Sequence, residues 1–236
     1  MNNVRTVSDT KRSFYSTHTR PINTIYRRVV EELMVEMHLL SVNVDFSYNP
    51  IYALGVVTTF DRFMQGYLPE RDQESIFTAI LKAVEQDPTR YIQDAQRLQN
   101  VASSMSAKDL IAWVSQGTPN SRDADLQSSL EAIANNSNFK YSRLFAIGIF
   151  SLLEQADPEL VKDEKQRNDA LKIIATGLHL SDDKLTKDLE LYRSNLDKMA
   201  QALIVMADMV SADRKKREKR AAGQSSTAVA PPTVNE

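Results

Sequence analysis

Eight apolar residues near the C-terminus are spaced alternately four and three positions apart: Leu185, Leu189, Tyr192, Leu196, Met199, Leu203, Met206 and Val210. This heptad spacing keeps one face of a helix apolar for more than three heptads, so it predicts a single long helix over residues 181–220. The pattern leaves open whether the first half of this seam packs on the protein's own body. The second half is the better candidate for a partner surface.

Helix-start signals divide the rest of the chain. An acceptor side chain is followed by proline, which suits the first helical position, at Asn49-Pro50, Asp87-Pro88 and Asp157-Pro158. Pro21 is expected to open a further helix, and Ser106 followed by Asp109 resembles a capping box. Between these marks apolar residues keep helical spacing, and only six glycines and eight prolines occur. The expected fold class is therefore all-α.

The expected organisation is a compact multi-helix bundle over residues 1–180, the long helix over 181–220, which is long enough to protrude, and a disordered tail over 221–236. The run Leu144–Leu153 is uncharged and apolar, but at ten residues it is about half the length that a bilayer crossing needs. It predicts a buried helix. The polar opening of the chain does not resemble a signal peptide, and there is no cysteine for a disulfide.

Motifs for catalysis and cofactor binding are absent from the sequence. There are three histidines, none of them in a Glu-x-x-His or His-Glu-x-x-His pattern, and no glycine-rich nucleotide loop. We therefore expect no enzyme, cofactor or metal site. His38, among apolar neighbours on a helix, is expected to be structural, and Glu31, Glu32 and Glu36 are expected to form surface ion pairs rather than an acid/base dyad.

Charge is distributed unevenly, with an acidic body and basic ends. The run Arg214, Lys215, Lys216, Arg217 is a candidate contact for a membrane surface or a partner, the alternative being a solvated helix end whose cations complement the helix dipole. It lacks interleaved aromatic residues, so nucleic-acid binding is not expected.

The N-terminal third resembles the thylakoid formation protein family, also called the photosystem II biogenesis family. The resemblance lies in the segment from Val7 to Ile22, which reads VSDTKRSFYSTHTRPI, and in the blocks YRRVVEEL, EMHLL, YALGVV and FDRFMQGY that follow it. It implies a non-enzymatic accessory protein for photosystem II biogenesis and repair and for thylakoid formation. It also implies a membrane-anchored AAA protease complex as partner, which removes damaged reaction-centre subunits, with photosystem II subunits as further candidates.

The same resemblance implies a peripheral protein at the cytoplasmic face of the thylakoid membrane. Because the motif begins almost at Met1, we expect a cyanobacterial protein without a transit or signal peptide. Candidate residues for a partner-binding or loop-anchoring surface are Asp9, Lys11, Phe14, Tyr15, His18, Arg20, Tyr26 and Arg27. The alternative is that the aromatic residues pack this segment onto the bundle, with Arg20 paired to a helix end or a carboxylate. Two other functions remain open: chlorophyll binding, with His38 as magnesium ligand, and peripheral organisation of the thylakoid membrane.

Overall fold

The computed structural model describes residues 5–116 and 123–225. Within these ranges the chain forms eleven helices and no strand, which confirms the all-α fold class. The helices are α1 (Val7–Thr17), α2 (Thr24–Ser41), α3 (Pro50–Phe63), α4 (Arg71–Ala83), α5 (Pro88–Ser103), α6 (Ala107–Val114), α7 (Ala124–Ala134), α8 (Arg143–Ala156), α9 (Pro158–Lys162), α10 (Glu164–Gly177) and α11 (Asp182–Ser225).

The helix starts show how local chemistry sets the boundaries. Asn49, Asp87 and Asp157 cap α3, α5 and α9 as predicted, each accepting a hydrogen bond from a backbone amide of the first turn. Ser106 likewise caps α6. The prediction for Pro21 was wrong, because α2 begins three residues later behind Asn23. Arg20, the residue before Pro21, carries no acceptor that can cap a helix, whereas the Asn23 side chain accepts from the Ile25 amide at 3.1 Å.

Helices α3 and α8 form the centre of the bundle. All ten residues from Leu144 to Leu153 are buried, which confirms the prediction of a buried helix. In α3 every residue from Pro50 to Phe60 is buried except Val57. A helix that is apolar on all sides must be surrounded by other elements, and α2, α5, α6 and α9 pack against this pair.

Two glycines allow α3 and α8 to approach each other at backbone distance. A Cβ atom at Gly55 would lie 1.7 Å from the carbonyl oxygen of Leu144, and one at Gly148 would lie 2.0 Å from that of Ile51. Both obstructing atoms belong to backbone, which cannot rotate away. The pair therefore tolerates no side chain at either position.

The chain divides into two compact units, Met1–Tyr192 and Arg193–Glu236, and the boundary falls within α11. In the first unit Leu185, Leu189 and Tyr192 are buried, and the Tyr192 ring packs edge-on against Phe63 at 5.9 Å between centroids. This start of the seam thus packs on the protein's own body.

The second unit, described by itself, is helical from residue 193 to Ser225. It passes the predicted end at 220 by five residues, the first two of which are the strong helix former alanine. Residues 226–236, where most of the predicted disordered tail falls, lie outside the described part of the chain.

Gly55→Ala should destabilise the protein by about 3 kcal/mol, because the added methyl group pushes the two central helices apart. A loss of stability would be specific to this site, because Gly→Ala inside a helix ordinarily stabilises a protein by up to about 1 kcal/mol. Urea unfolding followed by circular dichroism measures the effect. Ser128→Ala on the exposed side of α7 is the control, expected to change stability by less than about 0.5 kcal/mol. A Gly55→Ala protein as stable as the unsubstituted chain would contradict the close crossing.

Candidate functional site

Helix α1 is built by a capping box. Thr6 accepts from the Asp9 amide at 3.2 Å, and the Asp9 carboxylate accepts from the Thr6 amide at 3.1 Å and from its hydroxyl at 2.7 Å. These hydrogen bonds from Thr6 hold the pKa of Asp9 below its usual range. From the other side of the helix Phe14 enters the core and is fully buried. Asp9 therefore fixes where α1 begins, and Phe14 fixes which face turns inward.

A single carboxylate, Glu31 on α2, holds the outer face of α1. One of its oxygens accepts from Lys11 Nζ at 2.7 Å, and the other accepts from the Tyr15 hydroxyl at 2.8 Å. The hydrogen bonds from Lys11 and Tyr15 lower the pKa of Glu31, while partial burial and the same contact raise the pKa of Tyr15 to about 12. Glu31 is thus ionised, and Tyr15 protonated, at neutral pH.

Three residues, His18, Arg20 and Tyr26, anchor the segment between α1 and α2 by polar contacts. The buried His18 ring, at the end of α1, places Nδ1 3.0 Å from Ser75 Oγ. Arg20 approaches both oxygens of the buried Asp72 carboxylate, each at 2.9 Å.

At the start of α2, the buried Tyr26 donates to the Gln65 carbonyl at 3.2 Å and packs edge-on against Tyr67. With the contacts of His18 and Arg20, this bond ties the α1–α2 connection to α4 and to the turn after α3.

The exposed side of α2 forms the floor of a groove with a volume of about 1110 Å³. Lys11 stands on one wall, and the segment 140–143, which leads into α8, forms the other. We call this the α2 groove. Its lining consists of Lys11, Thr24, Arg27, Arg28, Glu31, Glu32, Val35, Glu36, Leu39, Leu40, Asn43, Lys140, Tyr141, Ser142 and Arg143.

The α2 groove carries five cations and three carboxylates. Every carboxylate is paired with a cation: Glu31 with Lys11 at 2.7 Å, Glu32 with Arg28 at 2.8 Å and Glu36 with Arg143 at 2.5 Å. No carboxylate of the described residues pairs with Arg27 or Lys140, both of which are exposed. Leu39, which also lines the groove, leaves 57% of its surface exposed. The groove therefore combines an exposed leucine with two cations that form no ion pair with a carboxylate of the described residues.

Comparison with known proteins identifies the family. The family model described as "Thylakoid formation protein" matches residues 6–221. The chain belongs to the thylakoid formation protein family. A protein named Thf1 from Nostoc punctiforme is 78% identical over the full length of both chains, and Thf1 from Acaryochloris marina is 57% identical, with 92% of this chain and 88% of the relative covered. A solved structure of Psb29 is similar with a TM-score of 0.78 and 44% identity, over 91% of this chain and 99% of that one.

Membership of the thylakoid formation protein family links the chain to thylakoid formation and photosystem II biogenesis. Among the described residues there is no helix long and apolar enough to cross a membrane. In the same part of the chain no group of three histidine or acidic side chains could hold a metal ion.

The structure separates the eight candidate residues of the partner-binding or loop-anchoring surface into two groups. Lys11 and Arg27 lie on the α2 groove, and Tyr15 reaches Glu31 beside it. The others take the anchoring role that the sequence left as an alternative, because their side chains cap α1, fill the core or bind buried groups; these are Asp9, Phe14, His18, Arg20 and Tyr26.

Sequence reasoning predicted the ion pairs of Glu31, Glu32 and Glu36 but not all of their partners. Arg143 stands 107 positions from Glu36, so no local signal connects the two. Lys140 and Leu39 also went unrecognised, since an exposed lysine or leucine has no sequence signature.

His38 is buried, and its Nδ1 lies 2.9 Å from the Thr10 hydroxyl, which confirms the structural interpretation. The basic run lies in the second unit, where Arg214, Lys215, Lys216 and Arg217 are all exposed. Arg214 pairs with Glu218 one turn later at 2.9 Å.

Arg20→Ala should lower the free energy of unfolding by about 2 kcal/mol, because it leaves the Asp72 carboxylate, 3% exposed, without its hydrogen-bonded ion-pair partner. Arg71→Ala is the matched control, since Arg71 is 83% exposed and 3.9 Å from the same carboxylate. Urea unfolding measures both. Equal effects of the two substitutions would show that the Arg20 contact anchors nothing.

Stability should also fall as the pH drops from about 7.5 to about 5.5. Burial lowers the pKa of both His18 and His38. The nearby Arg20 lowers that of His18 further, Arg5 does the same for His38, and Asp72 and Asp9 oppose these shifts. Below about pH 6.5, the ordinary histidine pKa, the unfolded chain therefore binds more protons than the folded chain. The free energy of unfolding keeps its full value above that pH and decreases below it.

The measurement is the free energy of unfolding in urea at both pH values. His18→Gln combined with His38→Gln should flatten the dependence. The lowered pKa of Asp9 and of Glu31 places their titration below this window. A dependence that survives the double substitution would contradict the assignment.

Proposed function

We propose that this chain is a non-enzymatic accessory protein of photosystem II biogenesis and repair that binds and stabilises the membrane-anchored AAA protease complex. It works as a peripheral protein at the cytoplasmic face of the thylakoid membrane. Family membership supports the link to thylakoid formation and photosystem II biogenesis. The protease partner, its stabilisation and the side of the membrane are what we propose beyond that link.

The observation that carries the proposal is the charge balance of the α2 groove. Three ion pairs neutralise its carboxylates, and Arg27 and Lys140 remain for an incoming partner. Charges at the rim of an interface steer and orient a partner more than they add to affinity, while an exposed apolar side chain such as Leu39 supplies contact area. The groove suits an acidic protein segment that also carries apolar side chains.

Chlorophyll binding through His38 has no support in this arrangement. A magnesium ligand must expose a ring nitrogen to a large planar group, and the His38 ring is buried beneath α1 with Thr10 bound to it. The groove therefore favours a protein partner.

The test is affinity purification of tagged full-length protein from cyanobacterial thylakoids solubilised in mild detergent, with mass spectrometry of the bound proteins. Arg27→Glu combined with Lys140→Glu should reduce recovery of the AAA protease about tenfold or more, because both anion-binding groups of the groove change sign. Lys172→Glu combined with Lys187→Glu is the control, since it makes the same charge change at exposed positions outside the groove.

The possible outcomes separate the function from its site. Failure of the unsubstituted protein to recover the protease above an untagged control would refute the proposed function. Recovery that is undiminished by the groove substitutions would refute the groove as the binding site. Chlorophyll-binding subunits recovered without the protease would indicate an assembly factor instead.

A further inference from the structure

An apolar stripe runs along the exposed side of α2, over the second half of the helix. Val35, Leu39 and Val42 are spaced four and three positions apart, so at about 100° per residue they fall within an arc of about 60°. Val35 is half-buried, whereas Leu39 and Val42 leave 57% and 41% of their surfaces exposed. The first two line the α2 groove, and Val42 follows at the C-cap of the helix. Heptad spacing on an exposed face is the pattern by which one helix packs against another.

The charged side chains of α2 leave this stripe uncovered. Glu36 lies about 100° around the helix from the first residue of the stripe, and it is engaged in an ion pair on that flank. Toward the start of the helix Arg28, Glu31 and Glu32 lie within about 60° of the same line, and each of them is also engaged in an ion pair. The floor of the groove is therefore charged but neutralised along its first half and apolar along its second half.

The two cations that pair with no carboxylate of the described residues stand on opposite flanks of this floor. Arg27 lies about 40° beyond Glu31 around the helix, which is the side of the α1 wall because Glu31 binds Lys11. Lys140 belongs to the opposite wall, three residues before Arg143. A partner that is complementary in charge therefore carries carboxylates on both sides of its own apolar surface.

Both walls of the groove are fixed by contacts within the first unit. The α1 wall is held by the bond from Lys11 to Glu31. In the opposite wall Tyr141 donates to the Asp188 carboxylate at 2.9 Å, and the Lys184 ammonium lies 4.8 Å from the centre of its ring. A groove that is formed in advance pays little ordering entropy on binding, and a straight groove with a helical floor suits a partner helix.

We propose that the α2 groove binds an amphipathic α-helix of the partner protein. Apolar residues of that helix, spaced three and four positions apart, pack on Val35, Leu39 and Val42, and acidic residues on both sides of them face Arg27 and Lys140. The inference rests on the proposed function of this groove and names the form of the segment that it binds. The groove of a second copy of this chain is not complementary, because it presents the same cations where carboxylates are needed.

The test is photo-crosslinking of the tagged full-length protein in solubilised cyanobacterial thylakoids. The crosslinker p-benzoylphenylalanine replaces Val35, Leu39 or Val42 in three separate proteins, and mass spectrometry identifies the residue to which each becomes attached. Val35 and Val42 are about 10 Å apart along α2. Their attachment points should therefore lie about seven residues apart in a helical partner, against about three in an extended one.

The attached segment should also carry acidic residues on both sides of its apolar positions. The control is the same crosslinker in place of Ile173, which is 52% exposed on α10 and lies outside the groove. This control should not attach to the segment.

Substitution of the stripe tests whether it contributes to binding. Leu39→Gln combined with Val42→Gln should reduce recovery of the crosslinked protein in the affinity purification at least tenfold, because two apolar side chains lose their contacts. Ile173→Gln combined with Leu191→Gln, at side chains 52% and 46% exposed outside the groove, should leave recovery unchanged. Circular dichroism checks that each variant remains folded.

The outcomes separate this inference from the proposed function. Attachment to an acidic amphipathic helix of the AAA protease supports both, whereas attachment to such a helix of another protein supports the inference and contradicts the proposed partner. The inference is overturned by attachment points about three residues apart, by a segment without flanking carboxylates, by attachment to a second copy of this chain, or by no attachment above the control. Recovery of the protease with the tagged protein would in each of those cases still support the proposed function.

Discussion

The close crossing of α3 and α8 is the constraint from which the candidate site follows. Gly55 lies against the Leu144 carbonyl, and Leu144 is the neighbour of Arg143, whose guanidinium pairs with Glu36. Because the crossing leaves no room for a side chain, the start of α8 is held at a fixed depth relative to α3. The segment 140–143 is thereby placed as a wall of the α2 groove, and Lys140 is brought to its edge.

The opposite wall depends on one carboxylate. The two oxygens of Glu31 accept hydrogen bonds from Lys11 and Tyr15, and these bonds join α1 to α2 at the edge of the groove. Hydrogen bonds to a charged group contribute more than neutral ones, and this pair lies at a partly buried position. The contact also decides the charge of the groove, since it removes Lys11 and Glu31 from those available to a partner and leaves Arg27 available beside them.

Much of the family's opening motif stabilises the fold. Buried polar groups cost free energy unless they find partners, and the buried Asp72, Tyr26 and His18 find theirs in Arg20, the Gln65 carbonyl and Ser75. A motif rich in charged and hydroxyl side chains resembles a binding surface in sequence. Of the segment from Val7 to Ile22 only Lys11 lines the groove, so a polar motif can reflect the anchoring of a segment as readily as the recognition of a partner.

The sequence by itself determined the all-α class, the starts of α3, α5, α6 and α9 and the buried α8, because caps and apolar periodicity act between residues a few positions apart. Asn49, Asp87 and Asp157 cap amides within three residues, and Leu144–Leu153 has no polar face to expose. Only the tertiary structure decided that Glu36 pairs with Arg143 and that Asp72 pairs with Arg20. It also decided that Arg27 and Lys140 line the same groove. These contacts join residues far apart in the chain, and their partners are fixed by how the helices cross rather than by any local preference.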